Sequence, residues 1–180
     1  MAHTSSPASS EAPHHAPVTT LRDWLDRLAG DGRLALMHPG RSLRHEIAAI
    51  ASKLDGRQAT LFPAPDGHKI PVLSGIVSRR EWIAEAMGVS PAKLLDRYQE
   101  AVSNPLPCTE VEHAPVQEIV HRGDIDIGAL LPVPIHNEHD GGPYLTAGLL
   151  ISSNPETGRQ NVSINRCQLK GGNRMGVSVS

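Results

Sequence analysis

The uneven distribution of proline is the feature that most constrains the fold of this chain. Prolines crowd residues 105–143 and divide the sequence into two halves of different pattern. Before this segment, apolar residues recur every three or four positions, which is typical of amphipathic helices. After it, they alternate or form short runs between turn residues, which is typical of strands. The sequence therefore predicts a junction between a helix-rich unit and turn-rich antiparallel β structure.

The balance of charge excludes two classes of partner. The 180 residues include 17 Lys and Arg against 19 Asp and Glu, a formal net charge of -2. Electrostatic binding to nucleic acid or to a membrane surface requires an excess of cations that displaces counterions, so we expect neither partner. The sequence contains no apolar run of the roughly 20 residues that cross a bilayer, and its first residues lack the apolar core of a secretory signal. We therefore expect a cytoplasmic protein.

The two cysteines indicate no framework of covalent or metal crosslinks. Cys108 and Cys167 are too few and too far apart for a disulfide scaffold or for a zinc site built from thiolate pairs. We expect both to be inert, buried residues.

Composition also predicts the domain boundaries. The first eighteen residues are mainly Ser, Ala, Pro and His, so burial could not offset the entropy of ordering them. We interpret His14 and His15 there as incidental rather than as metal ligands. The predicted division is a disordered tail over 1–18, an α+β domain over 19–104, a Pro-rich linker over 105–115, and a β domain over 116–180.

Helical periodicity and end signals predict four helices in the first half. The first begins after Thr20 and ends at Gly30, and Trp24 on its apolar stripe is interpreted as a core residue. The second follows Ser42 and stops at Gly56.

The third and fourth helices are predicted from their first residues. Ser78 precedes Glu81 by three positions, which is the spacing of a capping box, so a helix from there to Met87 is predicted. Pro91 opens the fourth helix, since proline is tolerated in a first turn. Its buried side is predicted to hold Leu94, Leu95, Tyr98 and Val102.

Runs of β-forming residues between turn signals predict the strands. A sheet that ends in a strand near the last residue needs further strands if it is to close, so the chain looks incomplete. The predicted strands are 33–37, 60–62, 70–73, 116–121, 145–152, 161–169 and 175–179.

Two histidines in a polar loop have a spacing that would allow chelation. His136 and His139 flank Glu138 and precede Asp140, but they could equally face solvent, and the residues alone leave both interpretations open. His45, beside Glu46 in the second predicted helix, is expected to be solvated rather than catalytic.

A late strand carries amide, guanidinium and ammonium groups among apolar neighbours. Such donors suit an anionic or carboxylate-bearing ligand, although an exposed strand with a solvated polar face would look the same. The donors on and after this strand are Asn161, Asn165, Arg166, Gln168, Lys170 and Arg174.

Several segments of the second half match the motifs of one family in the same order. They are Leu131-Pro132-Val133-Pro134, 140–148, 154–163, Arg166 and 168–171, with weaker matches at 21–25, 46–50 and 71–75. Together they resemble the UbiD family of reversible decarboxylases over roughly residues 20 to 180.

This resemblance implies a fold and an activity. The implied fold class is α+β, with an N-terminal unit of short strands and helices followed by an incomplete split β-barrel of the flavin-reductase type. The implied activity is non-oxidative, reversible decarboxylation of an aromatic or α,β-unsaturated carboxylic acid. Prenylated FMN is the implied cofactor, bound through a divalent metal, usually Mn²⁺, and through K⁺, and supplied by a separate flavin prenyltransferase.

The resemblance also implies roles for five residues. Arg166 is the catalytic arginine that holds the substrate carboxylate, and Asn161 is a ligand of the divalent metal. Ser163, Ile164 and Gln168 are the cofactor-binding residues. Because Asn161 and Arg166 are an odd number of positions apart, a regular strand would point them to opposite faces. They can line one pocket only if a bulge or a strand end intervenes.

The residues after Arg166 include no His, Asp or Glu. The family's other metal ligand histidine and its glutamates fall later than this sequence extends, so we expect a truncated chain that is inactive alone. Two alternatives remain open. One is a noncatalytic subunit that pairs with a companion chain carrying the missing groups, or with further copies of itself. The other is a split-barrel protein that binds plain flavin.

Overall fold

The computed structural model of the chain describes residues 16–178. The predicted tail, with His14 and His15, lies outside these residues except for its last positions. Of those, Val18 donates its backbone N–H to the Ala86 carbonyl at 2.9 Å and packs against the N-terminal core. Val18 is therefore part of the N-terminal fold.

The N-terminal unit combines helices with a small mixed sheet. Strands β1 and β2 pair in parallel, and β3 pairs with β2 in antiparallel orientation. A parallel pair requires a crossover, which α2 provides. The α+β expectation for this unit is confirmed. The elements are α1 (Leu21–Gly30), β1 (Leu34–Leu36), α2 (Glu46–Leu54), β2 (Ala59–Phe62), β3 (Val72–Ser74), α3 (Arg80–Ala86) and α4 (Leu94–Ser103).

Two tryptophans dominate the core of this unit. Trp24 of α1 and Trp82 of α3 pack with Leu28 and Ala59, and all four side chains are buried. The indole N–H of Trp24 donates to the Ile76 carbonyl at 2.7 Å, which satisfies its one polar group inside the core. The prediction that Trp24 is a core residue is confirmed.

Arg33 joins the two tryptophans to a carboxylate. Its guanidinium carbon lies 5.7 Å from the ring centroid of Trp24 and 5.5 Å from that of Trp82. Its two terminal nitrogens each donate to Glu85 at 2.7 Å, and one also donates to Asp31. Hydrogen bonding to Glu85 is the main cause that raises the pKa of Arg33. Both terminal nitrogens of this guanidinium are thus used in contacts within the N-terminal unit.

The first two helices begin in different ways. Helix α1 follows the prediction, because Thr20 caps it by accepting a hydrogen bond from the Asp23 N–H at 3.1 Å. Helix α2 begins at Glu46 rather than after Ser42, since His45 has a left-handed φ of 64° that a helix cannot contain. Glu46 instead turns back and accepts a hydrogen bond from the Ser42 N–H at 2.7 Å.

His45 differs from its prediction. It precedes α2 instead of lying within it, and its Nε2 atom is buried with no hydrogen-bond partner among residues 16–178. The expectation of a solvated side chain holds only in part, because the residue is half-buried and its Nε2 atom is enclosed.

The predicted capping box at α3 is also wrong. Ser78 does not cap this helix, whose first flanking residue is Arg79. The Ser78 hydroxyl instead accepts a hydrogen bond from the Gly56 N–H at 3.3 Å and so connects the end of α2 to the start of α3. The Ser78 hydroxyl thus bonds to a residue distant in sequence instead of to the first turn of α3.

Helix α4 buries less than its pattern predicts. It follows a 3₁₀ turn at Pro91–Lys93, and Leu94 is its only buried residue. Leu95, Tyr98 and Val102 are exposed, because none of the described residues covers this side of the helix. Across the described chain, no helix combines the length and the apolar character needed to span a bilayer.

The segment between the two halves lacks one predicted strand. A 3₁₀ turn at Pro115–Gln117 replaces the start of the strand predicted over 116–121, since proline fixes φ and has no N–H for pairing. Val116 and Ile119 are exposed and have no strand beside them. A short helix that the sequence did not indicate, α5 (Ile127–Leu130), follows. Cys108 in the linker is exposed, so the prediction of a buried thiol there is wrong, whereas Cys167 is buried as predicted.

The second half forms a three-stranded antiparallel sheet in the order β4-β5-β6. The prediction of antiparallel β structure is confirmed. The last strand was predicted over 175–179, of which residue 179 lies outside the described part. The strands are β4 (Tyr144–Ser153), β5 (Gln160–Leu169) and β6 (Met175–Val177).

Main-chain hydrogen bonds connect the two regions. Arg44, in the loop before α2, pairs with Ile135 in a parallel bridge. Around it, the His45 N–H donates to the Ile135 carbonyl, and the Ile135 N–H donates to the Leu43 carbonyl, both at 2.9 Å. The residues just before Ile135 are buried, and the Pro134 carbonyl accepts from the first N–H of β4 at 3.2 Å. The N-terminal unit is thus linked through this bridge to the strand that borders the candidate site.

Candidate functional site

The central strand β5 presents its candidate residues on two faces of the sheet. Side chains of alternate residues point to opposite sides of a strand. One face carries Ile164, Arg166 and Gln168. The other carries the buried Cys167 and Ser163, whose hydroxyl accepts a hydrogen bond at 2.7 Å from the Asn165 side chain.

A bulge interrupts the pairing of β4 and β5 at Arg166. Leu145 pairs with Cys167 and Gly148 pairs with Asn165, so two residues of β4 lie opposite Arg166 alone. A Cβ atom at Gly148 would lie 2.9 Å from the Asn165 carbonyl oxygen, so glycine permits this close approach. This bulge adds a residue to β4 and leaves the alternation along β5 unchanged, so it does not bring Asn161 to the face that carries Arg166.

Arg166 lines an open depression of about 550 Å³. This depression brings together three of the five predicted site residues, Ile164, Arg166 and Gln168. The guanidinium carbon lies 5.8 Å from the ring centroid of Tyr144, the first residue of β4. A cation beside apolar surface suits a ligand that joins a carboxylate to a flat apolar body. The depression is lined by Tyr144, Ile164, Asn165, Arg166, Gln168, Gly176, Val177 and Ser178.

Contacts on both sides hold the amide of Gln168. Lys170 donates a hydrogen bond from Nζ to its oxygen. Its nitrogen lies so close to the loop before β4 that a Cβ atom at Gly141 or Gly142 would come within 3.1 or 3.3 Å of it. In the sequence this glycine pair and Tyr144 belong to the motif 140–148, and no role was predicted for them. The signal that could have identified them is their position directly before and at the start of β4.

Asn161 lies in a different depression, at the far end of the β4–β5 hairpin. It pairs across the sheet with Ser152 and lines a polar cavity of about 470 Å³. The structure therefore does not place Asn161 in the depression that contains Arg166. The cavity is lined by Ser152, Ser153, Asn154, Thr157, Arg159, Gln160 and Asn161.

Metal-ligand groups are sparse in the described part of the chain. Residues 16–178 contain no group of three or more His, Cys, Asp or Glu side chains placed to hold a metal ion. His136 and His139 are exposed, which favours the solvent-facing interpretation of that loop. The Asp140 carboxylate accepts a hydrogen bond at 2.9 Å from the Asn137 N–H, so it serves the loop itself.

Comparison with known proteins identifies the family. Residues 25–102 match the N-terminal domain of 3-octaprenyl-4-hydroxybenzoate carboxy-lyase, which is the N-terminal model of the UbiD family. Residues 109–180 match the Rift-related domain of the same carboxy-lyase, which is the second UbiD model. The two matches meet near the Pro-rich linker and together include both halves of the fold.

Curated relatives agree with this assignment. The chain is 36% identical over 159 residues to the anhydromevalonate phosphate decarboxylase of Methanothermobacter thermautotrophicus, which covers 88% of this chain and 36% of that protein. It is 35% identical over 170 residues to an uncharacterized protein from the cooM 5′ region of Rhodospirillum rubrum, again with 36% of the relative covered. The chain thus spans about a third of the length of these relatives.

Solved structures show the same fold. An evolved dimeric form of the UbiD-class enzyme HmfF from Pelotomaculum thermopropionicum, in complex with prFMN, superposes with a TM-score of 0.85 at 40% identity. That match covers 89% of this chain and 38% of HmfF. Vanillic acid decarboxylase from Sedimentibacter hydroxybenzoicus superposes with a TM-score of 0.74 at 25% identity, over 91% of this chain and 39% of that one. The family models, the relatives and the fold together show that this chain belongs to the UbiD family.

Proposed function

We propose that this chain is part of a non-oxidative, reversible decarboxylase that acts on an aromatic or α,β-unsaturated carboxylic acid with prenylated FMN. The observation that carries this proposal is the depression in which Arg166 and Ile164 lie side by side on an open sheet face. Relatedness to an anhydromevalonate phosphate decarboxylase and to HmfF in complex with prFMN supports it.

In this proposal Arg166 holds the carboxylate of the substrate. A guanidinium remains charged at any physiological pH and offers two parallel N–H donors that match the two oxygens of a carboxylate. Among residues 16–178, no Asp or Glu forms an ion pair with Arg166. Its donors are therefore available to an incoming acid.

The residues around Arg166 fit a flavin. Ile164 is 76% exposed and gives an apolar surface on the same face as the guanidinium. Gln168, held by Lys170, gives an amide that can hydrogen bond to a polar ring edge. We propose both as cofactor contacts. Ser163, the third residue in this proposal, lies on the opposite face of β5, where its hydroxyl accepts a hydrogen bond from Asn165, so it would meet a different part of the cofactor. Prenylated FMN, when bound, supplies an electron sink for the charge left when CO₂ departs.

The described residues do not by themselves fit a divalent metal. Asn161 offers one neutral oxygen among hydroxyl, amide and guanidinium groups, whereas Mn²⁺ or a similar cation takes about six ligands with carboxylate or imidazole among them. We propose Asn161 as one ligand of a cofactor-bound Mn²⁺, with K⁺ as the second ion. The remaining ligands must then come from polypeptide outside these residues.

The same reasoning extends to the whole protein. We propose that β4, β5 and β6 form part of a split β-barrel of the flavin-reductase type over residues 116–180, preceded by the α+β domain over 19–104 and the linker over 105–115. We further propose a cytoplasmic protein that receives its cofactor from a flavin prenyltransferase. Since no acid lines the described depression that contains Arg166, we propose that this chain does not decarboxylate alone.

One observation favours a second candidate, a noncatalytic subunit that pairs with another chain. Leu149 pairs with Ile164 and Ile151 pairs with Val162 across β4 and β5, and all four side chains are exposed on one face. A face of this kind suits a polypeptide that would cover it. Size-exclusion chromatography with light scattering measures the molar mass in solution. It distinguishes a chain that associates with itself from one that stays monomeric until a different chain binds.

Loss of carboxylate binding without loss of flavin tests the main proposal. The chain is coexpressed with a flavin prenyltransferase, and wild type, Arg166→Ala and Arg174→Ala are compared. We expect Arg166→Ala to weaken binding of benzoate, a simple aromatic acid, by about tenfold or more because it removes charge-assisted hydrogen bonds. Flavin absorbance should be equal in all three proteins, and Arg174→Ala, which removes an exposed arginine from the β5–β6 turn, should bind benzoate like wild type.

Two results would contradict these proposals. Equal benzoate binding by wild type and Arg166→Ala would remove the role given to Arg166. Release of CO₂ by the chain alone would refute the proposed inactivity. In the whole enzyme of which we propose this chain is part, Arg166→Ala should abolish turnover while flavin stays bound.

A further inference from the structure

We propose that Tyr144 is a positioning residue that carries the guanidinium of Arg166 on its ring and leaves its N–H donors open to a carboxylate. The inference rests on the proposed function of Arg166. It starts from the 5.8 Å distance between the guanidinium carbon and the ring centroid and from the presence of both side chains in one depression.

The pairing of β4 with β5 explains why this tyrosine reaches this arginine. Tyr144 lies directly opposite Gln168, so it is the diagonal neighbour of Arg166 on the same face. Diagonal neighbours in a sheet lie within reach of aromatic and long side chains. The bulge places two small residues, Thr146 and Ala147, opposite Arg166, so no large side chain competes for its position.

The ring itself has a defined place. The Tyr144 N–H donates to the carbonyl of the buried Pro134 at 3.2 Å, and Pro143 before it has a fixed φ. A Cβ atom at Gly141 would lie 4.0 Å from the Tyr144 hydroxyl, so the glycine loop runs alongside the ring. Tyr144 is thus hydrogen-bonded to the same buried segment that forms the bridge to the N-terminal unit.

A second arginine in the same molecule shows how a guanidinium can contact aromatic rings and bind a carboxylate at the same time. Arg33 also lies against aromatic rings, at 5.7 and 5.5 Å, but both of its terminal nitrogens donate to Glu85 at 2.7 Å. Within the described part of the chain, Arg166 has the ring but no carboxylate partner. An external carboxylate would bind the Arg166 guanidinium as the Glu85 carboxylate binds that of Arg33.

Variants of the two tyrosines test this inference. The Nε–H signals of the arginines are followed by NMR in wild type, Tyr144→Phe, Tyr144→Leu and Tyr98→Leu during titration with benzoate. Tyr98 is the other tyrosine, exposed on α4, and serves as the matched control. We expect the Arg166 signal to be shifted upfield by the ring in wild type and in Tyr144→Phe, and to lose this shift in Tyr144→Leu.

Affinity provides the second readout. Loss of a cation–π contact at an exposed site should weaken benzoate binding by about two- to fivefold in Tyr144→Leu. Phenylalanine keeps the ring and should restore wild-type affinity, and Tyr98→Leu should have no effect. A merely structural role for Tyr144 would not produce this rescue together with the change in the Arg166 signal.

The outcomes separate this inference from the proposed function. The positioning role is overturned if the wild-type Arg166 signal carries no upfield shift, or if Tyr144→Leu leaves both the shift and the affinity unchanged. The first of these measurements uses only the wild-type protein, so it can be made even if a variant fails to fold. If benzoate leaves the Arg166 signal of wild type unmoved while Tyr144→Leu removes its upfield shift, the carboxylate role of Arg166 is overturned and the ring contact is upheld.

Discussion

The N-terminal unit and the β4–β5–β6 sheet use the same kinds of apolar residue in opposite ways. The N-terminal unit buries Leu28, Ile47 and Phe62 at 0, 2 and 0% exposure. The sheet leaves Ile164 76% and Leu149 67% exposed on the face that carries Arg166. The first region closes a core of its own, although α4 leaves Leu95, Tyr98 and Val102 exposed. In the second region, no described residue covers the aliphatic face of the sheet. The difference places a closed apolar core in the N-terminal unit and leaves an open apolar face on the sheet.

The largest expected effect is the difference in unfolding free energy between two truncations, one of an apolar residue in each region. Phe62→Ala should lower the free energy of unfolding by about 3–5 kcal/mol because it leaves a cavity in a closed core. Ile164→Ala should change it by less than about 0.5 kcal/mol because the side chain is mostly in solvent already. Urea unfolding followed by circular dichroism, which reports on both regions, measures the two values. Comparable losses in the two variants would show that the contrast between the regions is wrong.

A smaller effect is expected from filling the close approach at the bulge. A Cβ atom at Gly148 would meet the Asn165 carbonyl oxygen at 2.9 Å and the Cys167 sulfur at 3.3 Å. Gly148→Ala should therefore destabilise the β4–β5 pairing by about 1–3 kcal/mol. Faster hydrogen exchange confined to β4 and β5 would show it. Gly30→Ala, where nothing lies within 4 Å of the added atom, is the control and should leave exchange in the sheet unchanged.

The smallest effect is a pH dependence within the N-terminal unit. The Ser42 N–H, and then the Arg41 guanidinium, lower the pKa of Glu46 below its ordinary value of 4.5. A depressed pKa stabilises the fold above the unfolded value, and this contribution is lost as pH falls through the folded value. Glu46→Gln should therefore lower stability at neutral pH and flatten its decline below about pH 4.5.

Arg41→Ala separates the two causes of this shift. It removes the ion pair at 2.8 Å but keeps the hydrogen bond from Ser42. Unfolding free energies measured across the acid range should place this variant between wild type and Glu46→Gln. A pH profile of Glu46→Gln that overlies the wild-type profile would contradict the assignment.

Elements that depend on local residues could be predicted from the sequence. Helix α1 has its cap, its apolar stripe and its closing glycine within ten residues of one another, and the structure matches it. Strand β5 was predicted within one residue of its observed start. The errors arose where a distant partner decided the outcome. Ser78 bonds to Gly56 instead of capping α3, and no described element covers Tyr98 on α4.

The candidate site shows the same limit. Family motifs placed Ile164, Arg166 and Gln168 in one site, and the structure brings these three together. Tyr144 was missed because its contact with Arg166 depends on the pairing of two strands and on a bulge, neither of which is visible in the spacing of residues along one strand. Strand parity did indicate that Asn161 and Arg166 would separate without an irregularity.

The Arg44–Ile135 bridge changes how the Pro-rich linker should be regarded. The orientation of the sheet against the N-terminal unit is held by paired main-chain atoms and by the buried residues before Ile135, not by the reach of residues 105–115. The linker can therefore vary in length without moving one region past the other. Insertions or deletions within residues 105–115 should therefore leave the position of Arg166 relative to the N-terminal unit unchanged.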